Sequence, residues 1–286
     1  MPTVATDTAR RCLLRLAVLC GLSTAFALAT PPALPAPAGT WTLVWSDEFG
    51  GPAGSQPAAK WWNYDLGNEE QSGWGNNELQ YYTNNPANVR LDGQGFLEIW
   101  ARKNSAELWC FNGYACPYTS ARLTTRGRVQ FTYGKVEARM SLPQGQGYWP
   151  AFWMLGEGLR WPERGEVDVM EFVGKTPTTI YGTLHGPGYS GGQGLTKGQS
   201  VQNVSGYHTY TVIKRRDEIV WLLDGQPYHR VTPQDIPKGS EWVFDRPMHL
   251  LLNLAVGGNW PGSPDATTKF PGVLKVDYVR VWREGK

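Results

Sequence analysis

The sequence predicts an all-β domain, a sandwich or a barrel, and three observations carry that prediction. The chain is a succession of short runs with strand composition. Glycine and proline, 34 and 21 of 286 residues, punctuate those runs. No window of useful length shows sustained helical periodicity. Many short strands joined by Gly/Pro turns imply a β-sandwich or barrel. The runs are Trp41 to Trp45, Phe96 to Ala101, Val129 to Tyr133, Val136 to Leu142 and Ile180 to Leu184. Tyr210 to Lys214, Ile219 to Leu223, Leu250 to Val256 and Leu274 to Trp282 continue the series. Asp224-Gly225, between two of these runs, is a hairpin signal. Pro233 to Ile236 is expected to form one helical turn.

The N-terminus reads as a targeting signal over residues 1–29. Arg10, Arg11 and Arg15 precede an apolar run from Leu16 to Ala29, and Ala27-Leu28-Ala29 has the small-x-small form of a cleavage site. Arg10-Arg11 before Cys12-Leu13-Leu14 loosely resembles a twin-arginine export signal. The run is short for a membrane span. A Pro/Ala-rich linker follows at residues 30–39, and residues 40–286 form one domain with no internal repeat. The expected location is therefore extracellular, with no membrane partner once the leader is removed.

The formal charge of +2 owes much to that leader. The remainder is close to neutral, so nucleic acid and anionic membranes are not expected partners. All 14 tryptophans lie beyond Thr40, which suits sugar stacking and equally suits a Trp-rich β core. Cys110 and Cys116 stay behind when Cys12 and Cys20 leave with the leader. In an oxidising compartment they either close a turn-rich loop as a disulfide or remain two free thiols.

The informative segment is Gly165-Glu166-Val167-Asp168-Val169-Met170-Glu171-Phe172. With period two, Glu166 and Asp168 share one face and the valines the other. A regular strand would then drive Glu171 into the core, which is costly for an unpaired carboxylate. One extra residue at Met170, a β-bulge, returns Glu171 to the acidic face and leaves Val167, Val169 and Phe172 towards the core. Three carboxyls in a row repel one another, so at least one should hold a proton at neutral pH. Retaining glycoside hydrolysis needs such a pair, one carboxylate to attack and one protonated acid to donate, roughly 5 to 5.5 Å apart. The plainer reading is a solvated acidic edge balanced by Arg or Lys.

Glu166-Val167-Asp168-Val169-Met170-Glu171 resembles the E-[IV]-D-[IV]-M-E signature of glycoside hydrolase family 16. The intervening Met marks the laminarinase-like branch, bacterial endo-β-1,3-glucanases, whereas lichenases of the Bacillus type lack it. The blocks Gly73 to Tyr82, Tyr133 to Arg139, Trp149 to Leu155, Gly182 to Gly186, Asn253 to Gly258 and Val276 to Trp282 are similar to family blocks, in order along the chain. The resemblance implies a β-jelly-roll sandwich of two curved antiparallel sheets with a substrate cleft on the concave face. It implies an endo-acting hydrolase of β-1,3-glucan, with cross-activity on mixed-linkage β-1,3-1,4-glucan. Glu166 would be the nucleophile, Asp168 its helper and Glu171 the acid/base.

Substrate-lining positions carried over by the same resemblance are Asn76, Arg126, Trp149, Trp153, His185 and Trp260. Each has a plainer reading: the tryptophans could fill core, His185 could be a structural histidine, and Arg126 a surface charge. No cofactor is expected for catalysis. The family's structural calcium would fall on the backbone carbonyls of Glu48 and Gly93 with Asp277, water completing an oxygen shell. The expected partner is the glucan itself, and the default oligomeric state is a monomer. No nucleophile elbow, HExxH motif or phosphate loop is present. The rival from another class is a β-glucan-binding protein, which would not need both Glu166 and Glu171; another β-glycan as substrate is the rival within enzymes.

Overall fold

The protein is described by a computed structural model covering Leu34 and residues 38–285. The expected leader, and most of the expected linker, lie outside the described residues. The strands are β1 (Trp41–Asp47), β2 (Asn63–Asp65), β3 (Gln80–Tyr82), β4 (Val89–Leu91), β5 (Leu97–Lys103) and β6 (Tyr118–Ser120). Then come β7 (Arg122–Thr124), β8 (Gly134–Ser141), β9 (Tyr148–Gly156), β10 (Glu166–Phe172), β11 (Thr179–His185) and β12 (Leu195–Ser200). The chain ends with β13 (His208–Lys214), β14 (Ile219–Leu223), β15 (Gln226–Val231), β16 (Met248–Val256) and β17 (Gly272–Glu284).

Two sheets result. The larger has ten strands along the order β15-β14-β13-β8-β17-β5-β6-β3, with β1 added to β17 and β4 to β5. The smaller has seven, in the order β12-β11-β10-β9-β16-β7-β2. All pairings are antiparallel except β3 with β6. This is the two-layer jelly-roll architecture the sequence predicts.

The core lies between the sheets, and alternation feeds it from both. On β8, Val136, Ala138 and Met140 are buried while Lys135, Glu137 and Arg139 face out. From the other sheet, Phe152, Met154, Val167, Val169, Met170, Leu250 and Leu252 join the same cluster. The strand β16 is buried at every position. Its second face is covered by the segment ending in β3, where Leu79 N–H donates to the Val256 carbonyl (2.9 Å) and Val256 N–H to Gln80 Oε1 (2.7 Å).

The Asp224-Gly225 hairpin forms as expected between β14 and β15, both residues at positive φ (48° and 76°), the left-handed geometry of a tight hairpin turn. Two expectations need correction. Val129–Tyr133 is no strand; it contributes one isolated bridge, Phe131 to Met248. Residues 233–236 form a hydrogen-bonded turn and not a helix, because Asp235 folds back to cap Thr232 N–H (2.8 Å). Cys110 and Cys116 form a disulfide.

Candidate active site

The bulge expected in the acidic strand is present. Asp168 opposes Trp153 on β9 and Thr183 on β11, whereas Glu171 opposes Ala151 and Tyr181. Three steps along β10 therefore match two on each neighbour. Met170 keeps Phe152 as its β9 partner, so the extra residue in that register is Val169 and not Met170 as expected from the sequence. Both are fully buried. A bulge leaves ladder groups without partners. Here the Asp168 carbonyl accepts a hydrogen bond from the indole Nε1 of Trp221 (2.8 Å), reaching across from β14 of the opposite sheet. Gly182 leaves room for that contact: a Cβ there would lie 2.5 Å from the Trp221 ring and 2.6 Å from the Tyr228 hydroxyl.

Glu166, Asp168 and Glu171 consequently face away from the core together, and each has its own surroundings. Glu166 Oε2 accepts from Trp161 Nε1 (2.9 Å). Asp168 is buried, with its Oδ2 3.2 Å from His185 Nε2 but without the alignment of a hydrogen bond. His185 Nε2 is also 4.0 Å from Glu166. Glu171 accepts from Trp149 Nε1 (3.0 Å) and, at 3.5 Å, from the Thr183 hydroxyl. Among the described residues no lysine or arginine forms an ion pair with any of the three.

The electrostatics follow from that. Burial raises the proton affinity of all three carboxyls. For Glu166 and Glu171 the negative charge of Asp168 raises it further, while His185 works against the rise. The hydrogen bond from Trp161 favours ionised Glu166, and that from Trp149 favours ionised Glu171. Three close acids with raised affinities share protons as a unit. The contact between Glu166 and Asp168 raises Glu166 and lowers Asp168, so Asp168 is the readier of the two to ionise, while Glu171 holds its proton. The row thus sets a shared proton beside a protonated acid.

The expected lining residues are distributed around this row. Trp149 touches Glu171 directly, and Trp260 packs edge-on against both Trp149 (5.5 Å) and Tyr181 (5.1 Å). His185 sits at the Glu166 end, with Trp161 6.2 Å away. Trp153, one strand over, donates from Nε1 to Asn253 Oδ1 (2.8 Å) and lies under the Arg122 guanidinium (4.8 Å). Arg126 is exposed and shares Asp65 with Arg122 (3.3 and 3.0 Å). Asn76 occupies a tight turn at Gly73–Asn77, its carbonyl accepting from Asn259 N–H (2.8 Å). It makes no contact with the carboxyl row in this structure.

Sequence reasoning did not single out Trp161, Thr183 and Asn253. Two of these carry readable signals. Tyr181, Thr183 and His185 share one face by period two, and Asn253 is a lone amide inside an apolar run. The donor set Glu166, Asp168 and His185 would suit a metal ion by type, its ligand atoms lying within 4.8 Å of one another. It comprises the oxygens that glycoside chemistry itself requires. Of the expected calcium donors, Asp277, the only side-chain carboxylate in the set, pairs with Arg139 (2.6 Å). Glu48 directs its carboxylate to Arg280 (2.9 and 2.8 Å), which concerns its side chain and not the backbone carbonyl expected as the donor.

Comparison with known proteins agrees with this geometry. Residues 69–280 match the model of the glycosyl hydrolases family 16. The chain is 40% identical over 256 residues to a β-glucanase of Rhodothermus marinus, covering 85% of each. Its fold superposes on an endo-β-1,3-glucanase of Pyrococcus furiosus with a TM-score of 0.82 and 43% identity, over 90% of this chain and all of that one. The laminarinase catalytic domain of Thermotoga maritima MSB8 gives 0.79 and 42%, over 86% of this chain and 99% of that one. With the family model matched over residues 69–280 and a relative 40% identical over 85% of both chains, the chain belongs to the glycosyl hydrolases of family 16.

Proposed function

We propose that this protein is a secreted, endo-acting hydrolase of β-1,3-glucan that works by double displacement with retention. The observation that carries the mechanism is the bulged strand, which sets three carboxyls, Asp168 buried and Glu166 and Glu171 partly so, on one face without a lysine or arginine to neutralise them. Glu166 attacks the anomeric carbon and forms a glycosyl-enzyme. Glu171 first protonates the departing glycosidic oxygen and then takes a proton from the incoming water. Asp168 shares a proton with Glu166 and moderates its charge between the two half-reactions. The aromatic surroundings of Glu171, built by Trp149, Trp260 and Tyr181, give sugar rings flat apolar faces beside the acid. The names of its relatives support β-1,3-glucan as the substrate. The chemistry requires no cofactor.

The test is reducing-sugar release from laminarin, mixed-linkage glucan and cellulose by the protein and by Glu166→Gln. Release from laminarin that disappears in the variant supports both the substrate and the nucleophile. Proton NMR should show the β anomer as the first product, and an α anomer would exclude retention. Binding to laminarin without any release would favour a glucan-binding protein. Export is the reading of the N-terminal segment, checked by N-terminal sequencing of material from the culture medium. Sedimentation at working concentration checks the monomer. A structural calcium on the backbone carbonyls of Glu48 and Gly93 with Asp277 would require Asp277 to exchange Arg139 for the ion; a melting temperature raised by calcium over chelator supports it, and no shift counts against it.

A further inference from the structure

A buried polar chain around one further carboxyl, Glu78, lies outside the row on β10. Glu78 is buried, and burial pushes its carboxyl up to about 7 against the opposing charge of Arg122 and hydrogen bonds from Gln80, Tyr82 and Asn76. Its Oε2 accepts from Gln80 Nε2 (2.6 Å) and from the Tyr82 hydroxyl (3.1 Å). Gln80 cannot turn its amide round, because its Oε1 holds Val256 N–H (2.7 Å). Tyr82, fully buried, has spent its one proton on Glu78 and can offer Asn253 only a lone pair. Asn253 Nδ2 donates to it at 3.2 Å. The other end of that amide, Oδ1, is thereby turned to Trp153 Nε1 at 2.8 Å. An indole N–H can only donate, so a reversed amide would set two donors against each other. Every link therefore runs one way, from Trp153 through Asn253 and Tyr82 to Glu78. A proton on Glu78 Oε1 leaves that polarity unchanged.

We propose that the Tyr82 hydroxyl, anchored on Glu78 Oε2, is a positioning group that fixes the amide of Asn253 and through it the Trp153 indole in the glucan cleft. What Trp153 then holds, a sugar ring of the glucan, rests on the function proposed above. The inference identifies Glu78, Tyr82 and Asn253 as determinants of substrate affinity that do not themselves touch the reacting atoms. Arg122, clamped between Trp74 (4.4 Å) and Trp153 (4.8 Å) and held by Asp65 (3.0 Å), fixes the ring from one face while the amide fixes its edge.

The experiment compares Tyr82→Phe, Asn253→Ala and their combination, with folding checked by circular dichroism. Tyr82→Phe keeps the ring and loses the acceptor. KM for laminarin should rise roughly threefold to tenfold, the size of one neutral hydrogen bond, with the loss concentrated in KM and not in kcat. Asn253→Ala should give the same pattern independently, and the double variant should be no worse than Asn253→Ala alone, since Tyr82 acts through that amide. A nitrogen-15 spectrum of the indole N–H groups, with Trp153 assigned by Trp153→Phe, should show that resonance moving in Tyr82→Phe without any substrate present. An unmoved resonance and unchanged KM in folded Tyr82→Phe overturn the proposal, as do fully additive losses in the double variant. A coupled resonance in a protein that cuts no laminarin would retain the positioning chain and discard the glucan reading.

Discussion

Glutamates on the two sheets of this molecule live under opposite rules. Just past the end of β1, on the larger, outer sheet, Glu48 is held below the usual carboxylate range by hydrogen bonds from Arg280. Burial works upward on Glu98, but hydrogen bonds from Lys275 and Trp100 and the charges of Lys275 and Arg90 outweigh it. Glu284 is held down in the same way by Arg215. On the cleft sheet, Glu166 and Glu171 are partly buried without such partners, and their proton affinities rise. The residue type is the same in both places. What differs is whether a cation stands opposite, and that decides whether a carboxyl supports the fold or is reserved for chemistry.

The contrast is broken most severely at the row itself. Glu171→Gln should lower kcat on laminarin by about a hundredfold to ten-thousandfold, the worth of a general acid, and Glu166→Gln by at least as much. Steady-state rates on the purified variants decide it, and a variant that keeps most of its activity removes that residue from its role.

Stability should move the other way. A carboxyl whose folded proton affinity is raised contributes full stability below its unfolded value and loses it as pH rises through the folded one. Glu171→Gln should therefore match the parent at pH 4 and be more stable at pH 8, by about 1–3 kcal/mol, through relief of an unpaired buried charge. Urea unfolding at the two pH values tests this. A variant less stable at pH 8 would mean that the acid row supports the fold.

Glu98 sharpens the comparison from the outer side. Its lowered affinity means stability present above its unfolded value and lost as pH falls through the folded one. Glu98→Gln should cost about 1 kcal/mol at pH 7, discounted because Arg90 and Lys275 are partly exposed, and almost nothing in strong acid. Thermal melts across that range give the answer.

The smallest effect is expected at Trp161. Trp161→Phe removes the N–H that favours ionised Glu166. The acid limb of kcat/KM should move to higher pH by less than about one unit. A shift to lower pH would contradict the assigned direction of that hydrogen bond.

The bulged row was legible in the sequence because it depends on parity within seven residues and on the cost of burying a charge. The hairpin at Asp224-Gly225 was legible for a similar reason, its conformation being decided by two residues. Short strands such as β2, β3 and β7 were not, since three residues carry no period. The chain of hydrogen bonds under Trp153 was hidden for another reason. Tyr82 and Asn253 are 171 positions apart, and Trp153 and Asn253 are 100 apart. Only the closure of both sheets brings them together. The pairing of Asp277 with Arg139 was hidden by the same kind of distance, 138 positions.

The bulge on β10 also has a meaning in terms of insertions and deletions. A strand assigns its faces by odd and even count, so losing one residue ordinarily turns everything downstream over. Here the count already contains one surplus, absorbed between Asp168 and Glu171. Deleting Met170 would leave Glu-Val-Asp-Val-Glu-Phe, a plain alternation that still sends all three acids to the cleft and the phenylalanine to the core. A single codon could thus leave this strand without inverting it, changing only how far apart along the strand the nucleophile and the acid stand.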